Sequence, residues 1–193
     1  MKNTSFSFSG KFIYLRAMEP SDLDFLYTIE NDPSMWDVSS YTSPYSRHIL
    51  SRFIENSMSD LYADRQLRVM ICRIQDDKPV GTIDLTDFAP SHRRAGVGIA
   101  VHDPYRRNGY ASEALEILTN YAFHVLHLHC LYAIVTIDNI PSITLFENQG
   151  YEQRGVLLDW VLSKEGYKDG VLLQKMHEAA RKSGECDKAE SLK

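Results

Sequence analysis

Gly96-Val97-Gly98-Ile99-Ala100-Val101, followed shortly by Arg106-Arg107-Asn108-Gly109-Tyr110-Ala111, is the stretch from which the rest of this chain can be read. The first six residues have strand character, yet glycine weakens a strand and usually marks a bulge or the close approach of a ligand or another backbone. After Asn108 the apolar period changes: Ala111, Ala114, Leu115, Leu118, Ala122 and Val125 recur at helical spacing. A strand therefore runs through a short loop into the N-terminus of a long helix. Cations at that end oppose the helix dipole by roughly 0.3–1 kcal/mol each. Arg106 and Arg107 make sense there if the free N–H groups of the first turn hold an anion, with Gly109 permitting close approach. A plain loop-to-helix junction with two solvated arginines fits the same residues.

Working outward, residues 12–16 predict a first strand, and Glu19-Pro20-Ser21-Asp22 opens a helix that continues to about Asn31. Pro33, Ser34 and Ser39–Pro44 break the pattern before a second helix over Ser46–Met58. Strands follow at 67–75 and 80–88, joined by the turn Asp76-Asp77-Lys78-Pro79, and at about 95–102. Beyond the long helix come a strand at 131–137, a short helix opening at Asn139-Ile140-Pro141 and stopped by Gly150, and two strand-like runs, 153–163 and 167–176. The expected fold class is α/β (α+β): a mixed, mostly antiparallel sheet of about seven strands with four main helices. The domain is expected over 10–177, with 178–193 a polar tail that is frayed or disordered.

Composition narrows the function. The 193 residues are enough for one full core, and a net charge of −5 gives no basic face for nucleic acid. No run approaches the ~18 apolar residues of a membrane helix, and no signal peptide is evident. Cys72, Cys130 and Cys186 suit neither a disulfide framework nor a metal site. A cytoplasmic protein without nucleic-acid or membrane partners is expected, and a homodimer is compatible with the sequence. His124, His127 and His129 have ligand-like spacing but no completing partner except Cys130, so no metal is expected.

Arg106-x-x-Gly109-x-Ala111 resembles the pyrophosphate motif of the GCN5-related N-acetyltransferases (GNAT). Asn139-x-x-Ser142-x-x-Leu145-Phe146-Glu147-x-x-Gly150-Tyr151 resembles their later helix. His92-Arg93-Arg94-Ala95 and the Gly155 and Gly166-Tyr167 hairpin resemble the branch containing spermidine and ribosomal-protein N-terminal acetyltransferases. The resemblance implies acetyl-CoA in a V-shaped opening between the strands at 95–102 and 131–137. The pantetheine would pair with the backbone of Ile99, Ala100 and Val101 in the manner of an added strand. The pyrophosphate would rest on Arg106, Arg107, Asn108, Gly109, Tyr110 and Ala111. Asn139 would contact the pantetheine or the amine, and Phe146 would line the cofactor.

The resemblance also implies a direct attack by an amine on the thioester, assisted by positioning and proton transfer. Relatives often use a tyrosine as acid where this chain has Phe146, which has no proton to give. Ser142 is the expected acid, with Tyr110, Tyr151 or a water chain as substitutes. Asp84 is the expected base; Asp159 and His102 are weaker candidates. The acceptor pocket would involve Glu30, Trp36, Asp37 and Tyr41, with Asp32, Tyr45 and Asp87 nearby. Branch members that act on polyamines have an acidic stretch where this chain has Tyr41-Thr42-Ser43, so the acceptor is either a polyamine or other small amine, or a peptide N-terminus. The rival reading is an acyl-CoA-binding module of the same fold with little turnover. A Rossmann-type site is excluded because its glycine loop follows the first strand.

Overall fold

A computed structural model describes residues 6–32, 43–57, 60–163 and 165–177. Among them seven strands form one sheet: β1 (Ile13–Arg16), β2 (Leu67–Arg73), β3 (Pro79–Ala89), β4 (Arg94–Val101), β5 (Cys130–Thr136), β6 (Glu152–Ser163) and β7 (Gly166–Met176). They lie in the order β1-β2-β3-β4-β5-β7-β6. Every neighbouring pair is antiparallel except β4 and β5. The helices are α1 (Leu23–Glu30), α2 (Arg47–Asn56), α3 (Leu61–Asp64), α4 (Tyr110–His124) and α5 (Ile140–Asn148). The seven strands and four longer helices follow the expected order. The one-turn α3 was not expected; four residues are too few to show a period, and it is held by Asp60, whose carboxylate accepts from the Tyr62 and Ala63 amides. The expected tail at 178–193 and the acceptor residues Trp36, Asp37 and Tyr41 lie outside the described residues.

Alternation along the strands divides the core in two. Val69, Ile71, Ile83, Leu85, Val97 and Val101 face α4 and α5, where Ala114, Leu115, Leu118, Ala122, Ile143 and Phe146 complete the main core. Met70 and Cys72 face the other way, against Leu26 and Ile29 of α1 and Leu50 and Ile54 of α2. The helices thus cover both faces of the sheet. Glu113 of α4 fastens the N-terminal segment, its carboxylate accepting from the Phe12 amide at 3.1 Å and the Ile13 amide at 3.2 Å.

The sheet is discontinuous at its centre. β4 and β5 pair only through Arg94 with Cys130, Ala95 with Leu131 and Gly96 with Tyr132. Beyond those positions β4 stays with β3 as far as Val101, while β5 stays with β7 as far as Thr136. Two strand edges therefore face each other unpaired at their carboxyl ends. The strands are parallel, so the helices that follow them, α4 and α5, both begin on the same side of this gap.

Candidate active site

The mouth of the gap is built from one loop and one helix end. Val101 ends β4, and the Arg106 side chain returns to it, Nε donating to the Val101 carbonyl at 2.9 Å. Arg106 also pairs with Asp103 at 2.6 Å, so its charge braces the loop instead of standing free at the helix end. Asn108 donates to the Tyr105 and Arg106 carbonyls at 3.1 and 3.0 Å. These bonds tighten the loop enough that Arg107 takes φ 63° and Gly109 φ 80°. The left-handed value is cheap for glycine and costs a residue with a Cβ about 1–2 kcal/mol.

Gly109 is the cap residue of α4 and, with no side chain, offers no capping hydrogen bond. A Cβ built there meets nothing within 4 Å, so the space above the first turn is open. The first N–H groups of an α-helix have no partner within the helix. Here they have no capping side chain, and they lie at the end of an open strand edge. Unpaired amides and the positive end of the dipole together make a cradle for an anionic group. Tyr110 and Ala111 form its first turn, while Ile99, Ala100 and Val101 form the open edge of β4 leading to it.

The two glycines of β4 do different jobs. A Cβ on Gly96 would lie 2.7 Å from Thr86 Oγ1 and 3.3 Å from Tyr132 Cζ, so Gly96 lets Tyr132 close over the last β4–β5 pair. Gly98 is roomier: its nearest neighbour is Asp84, with Oδ2 at 3.8 Å from a built Cβ. Asp84 stands opposite Gly98 on β4 and opposite Arg68 on β2. Its two oxygens accept from Arg68 Nε and Nη2, both at 2.8 Å, and Arg68 Nη1 reaches Glu30 Oε1 at 2.5 Å. Burial works against the charge on Arg68, but Asp84 and then Glu30 outweigh it and hold the guanidinium more firmly charged than usual. Two expected acceptor-side residues, Glu30 and Asp84, are thus joined by a third that sequence reasoning missed. Counting back from a turn at 76–79 does not find this pairing, because the β2–β3 register shifts between Ile71 and Cys72. Tyr132 was missed too; its hydroxyl donates to Asp87 at 3.2 Å beside Gly96.

At the far lip, Asn139 caps α5, its Oδ1 accepting from the Ser142 amide at 3.2 Å. Ser142 is half-buried in the first turn. Phe146, expected along the cofactor, lies in the core at 2% exposure, edge-on to Tyr151 with ring centroids 5.0 Å apart. Its place one turn deeper along α5 explains this, since that face packs on the sheet. Tyr151, the alternative acid, lies inside the core, where burial pushes its hydroxyl far up and it meets Thr119 at 3.4 Å. Asp159 sits on the β6 edge, where its amide donates to Asp169, and His102 packs edge-on against Phe25. Among the described residues no group of three His, Cys, Asp or Glu side chains is placed to hold a metal. No helix among them is long and apolar enough to cross a membrane.

The acetyltransferase (GNAT) domain family matches residues 13–152. The chain belongs to this family. It is an N-acetyltransferase. An uncharacterized N-acetyltransferase of Bacillus licheniformis, p20, is 29% identical over 151 residues, covering 78% of this chain and 84% of that one. The spermidine N(1)-acetyltransferase of Vibrio cholerae is 23% identical over 159 residues, 80% and 87% of the two chains. Among solved structures, spermidine N-acetyltransferase from Vibrio cholerae in complex with CoA and spermine superposes with a TM-score of 0.76 at 22% identity, covering 85% of this chain and 95% of that one. A protein from the same organism proposed to be a ribosomal-protein-serine acetyltransferase gives 0.71 at 20% identity, with 90% and 98% coverage. At those identities the likeness speaks for the GNAT fold.

Proposed function

We propose that this GNAT enzyme transfers the acetyl group of acetyl-CoA to a small primary amine by direct attack in a ternary complex. The observation that carries the reading is the open β4–β5 gap ending at the uncapped N-terminus of α4. The edge of β4 at Ile99–Val101, unpaired with β5 though its Val101 carbonyl accepts from Arg106 Nε, accepts an extended, amide-bearing arm as a further strand would. The α4 amides at Gly109–Ala111 accept the pyrophosphate, with Arg107 adding charge at the loop. The CoA complex of the Vibrio spermidine enzyme supports acetyl-CoA as the co-substrate, and the spermidine activity named for that relative supports an amine acceptor.

The acceptor enters from the α1/α2 side, where Gly98 leaves space beside Asp84. The amine nitrogen bonds to the thioester carbonyl carbon, the C–S bond then breaks, and the amine gives up one proton while the departing thiolate gains one. Asp84 takes the amine proton through a water; each of its oxygens keeps a second acceptor position beside the one used by Arg68. Ser142, at the lip of α5, supplies the proton to sulfur, and Asn139 holds the first turn that aims it. A thiolate is a good leaving group, so a weak acid suffices, and general acid–base help of about 10²–10⁴-fold is the expected scale.

The test is thiol release from acetyl-CoA across a panel of amines, amino acids and peptides, with acetylated product confirmed by mass. Release that depends on an amine is expected. Binding of acetyl-CoA with no release across the panel would instead make the chain an acyl-CoA-binding module.

A further inference from the structure

Arg68 of β2, Asp84 of β3 and Gly98 of β4 stand opposite one another in register and form a row across the sheet. The row ends at the open edge of β4. Arg68 is shared between two carboxylates on different elements, Asp84 at 2.8 Å and Glu30 of α1 at 2.5 Å, and its guanidinium lies 5.6 Å from the Phe53 ring of α2. All three charged side chains are largely withdrawn from solvent, with 16% of Glu30, 16% of Asp84 and 23% of Arg68 exposed. Among the described residues these three side chains carry two negative charges and one positive charge in a weakly screened place.

We propose that Arg68 is a specificity-determining residue of the acceptor site, cancelling one carboxylate charge and holding Asp84 at Gly98, so that the enzyme selects amines presenting a single positive charge over polycations. The inference rests on reading the α1/α2 face as the acceptor side. An ammonium arriving at Gly98 meets one net negative charge and neutralises it; it then passes one proton to solvent before the neutral amine attacks. A second ammonium a few bonds away meets a cluster with no charge left to offer and a guanidinium facing it. Removing either partner changes the balance in opposite directions. Without Arg68 the cluster keeps two negative charges, and without Glu30 it keeps none.

The experiment compares kcat/KM for 1-aminobutane and 1,4-diaminobutane at neutral pH, where one is singly and the other doubly charged. The wild-type enzyme is expected to favour the monoamine. In Arg68→Gln the diamine-to-monoamine ratio should rise about tenfold or more, and in Glu30→Gln it should fall. Arg68→Lys, which keeps the charge, should hold the ratio close to wild type. The KM for acetyl-CoA should stay within about twofold throughout, because the cluster lies on the other face from α4. A purely structural role for Arg68 would depress both amines equally and leave the ratio alone. Should Arg68→Gln fail to fold, Glu30→Gln and Arg68→Lys still decide. An unmoved ratio in folded Arg68→Gln or Glu30→Gln, or a moved one in Arg68→Lys, overturns the proposal alone; a wild-type enzyme that consumes acetyl-CoA with no amine of the wider panel overturns the acetyl-transfer reading with it.

Discussion

Gly109 and Ser142 are where single atoms bear most directly on the chemistry. Gly109 has φ 80° and open space in front of its missing Cβ. A valine there is both strained and placed where the pyrophosphate oxygens would rest. Gly109→Val should raise the KM for acetyl-CoA about tenfold or more while a folded protein persists, since about 1.4 kcal/mol of lost binding is enough; an unchanged KM would refute the phosphate cradle. Ser142→Ala should lower kcat about 10²-fold with both KM values little changed, the signature of an interaction made in the transition state. A full-speed Ser142→Ala enzyme would assign the thiolate proton to water. Phe146 gives a contrasting expectation. Because its ring is buried against Tyr151, Phe146→Tyr adds a hydroxyl to the core and should destabilise the protein by about 1–3 kcal/mol without raising kcat. Thermal melting and steady-state rates check both halves.

At the scale of elements, α4 joins stability to the site. Its Leu115 and Leu118 are fully buried against the sheet, and truncating Leu118→Ala should destabilise the protein by about 2–5 kcal/mol. Denaturant unfolding would measure it. The same burial fixes where the helix's free amides point. Much of this was legible in the sequence, because period-2 and period-3.6 patterns declare strands and helices one segment at a time. The glycines of β4 and the Arg106–Ala111 opening also declared themselves locally. What stayed hidden needed contacts between segments. The loop role of Arg106 depends on Asp103 and the Val101 carbonyl, and the burial of Phe146 depends on how α5 rolls onto the sheet. Arg68 looked like an ordinary strand residue until register set it between Asp84 and Glu30. The difference between Gly96 and Gly98 likewise comes from Tyr132 and Thr86 on the neighbouring strands.

For the whole molecule, the described residues form one sheet opened at its only parallel pair, and in the proposed reading co-substrate and acceptor meet there from opposite faces. The two N-termini, of α4 and α5, flank the opening because parallel strands bring their following helices to one side. Open α/β sheets place ligands beyond the carboxyl ends of such strands for that reason. A ligand bridging these elements should raise the melting temperature, with stabilisation of about 2.7 kcal/mol at a hundredfold excess over Kd. In the proposed reading the gap between β4 and β5 binds acetyl-CoA so that an amine can take its acetyl group. The most direct measurement follows free CoA thiol and acetylated amine together in one reaction of the wild-type enzyme. Both are expected to appear at equal rates, only when amine is present, and Gly109→Val is expected to suppress both at limiting acetyl-CoA. Acetyl-CoA binding that is untouched by Gly109→Val, or no product from any amine, would contradict that reading.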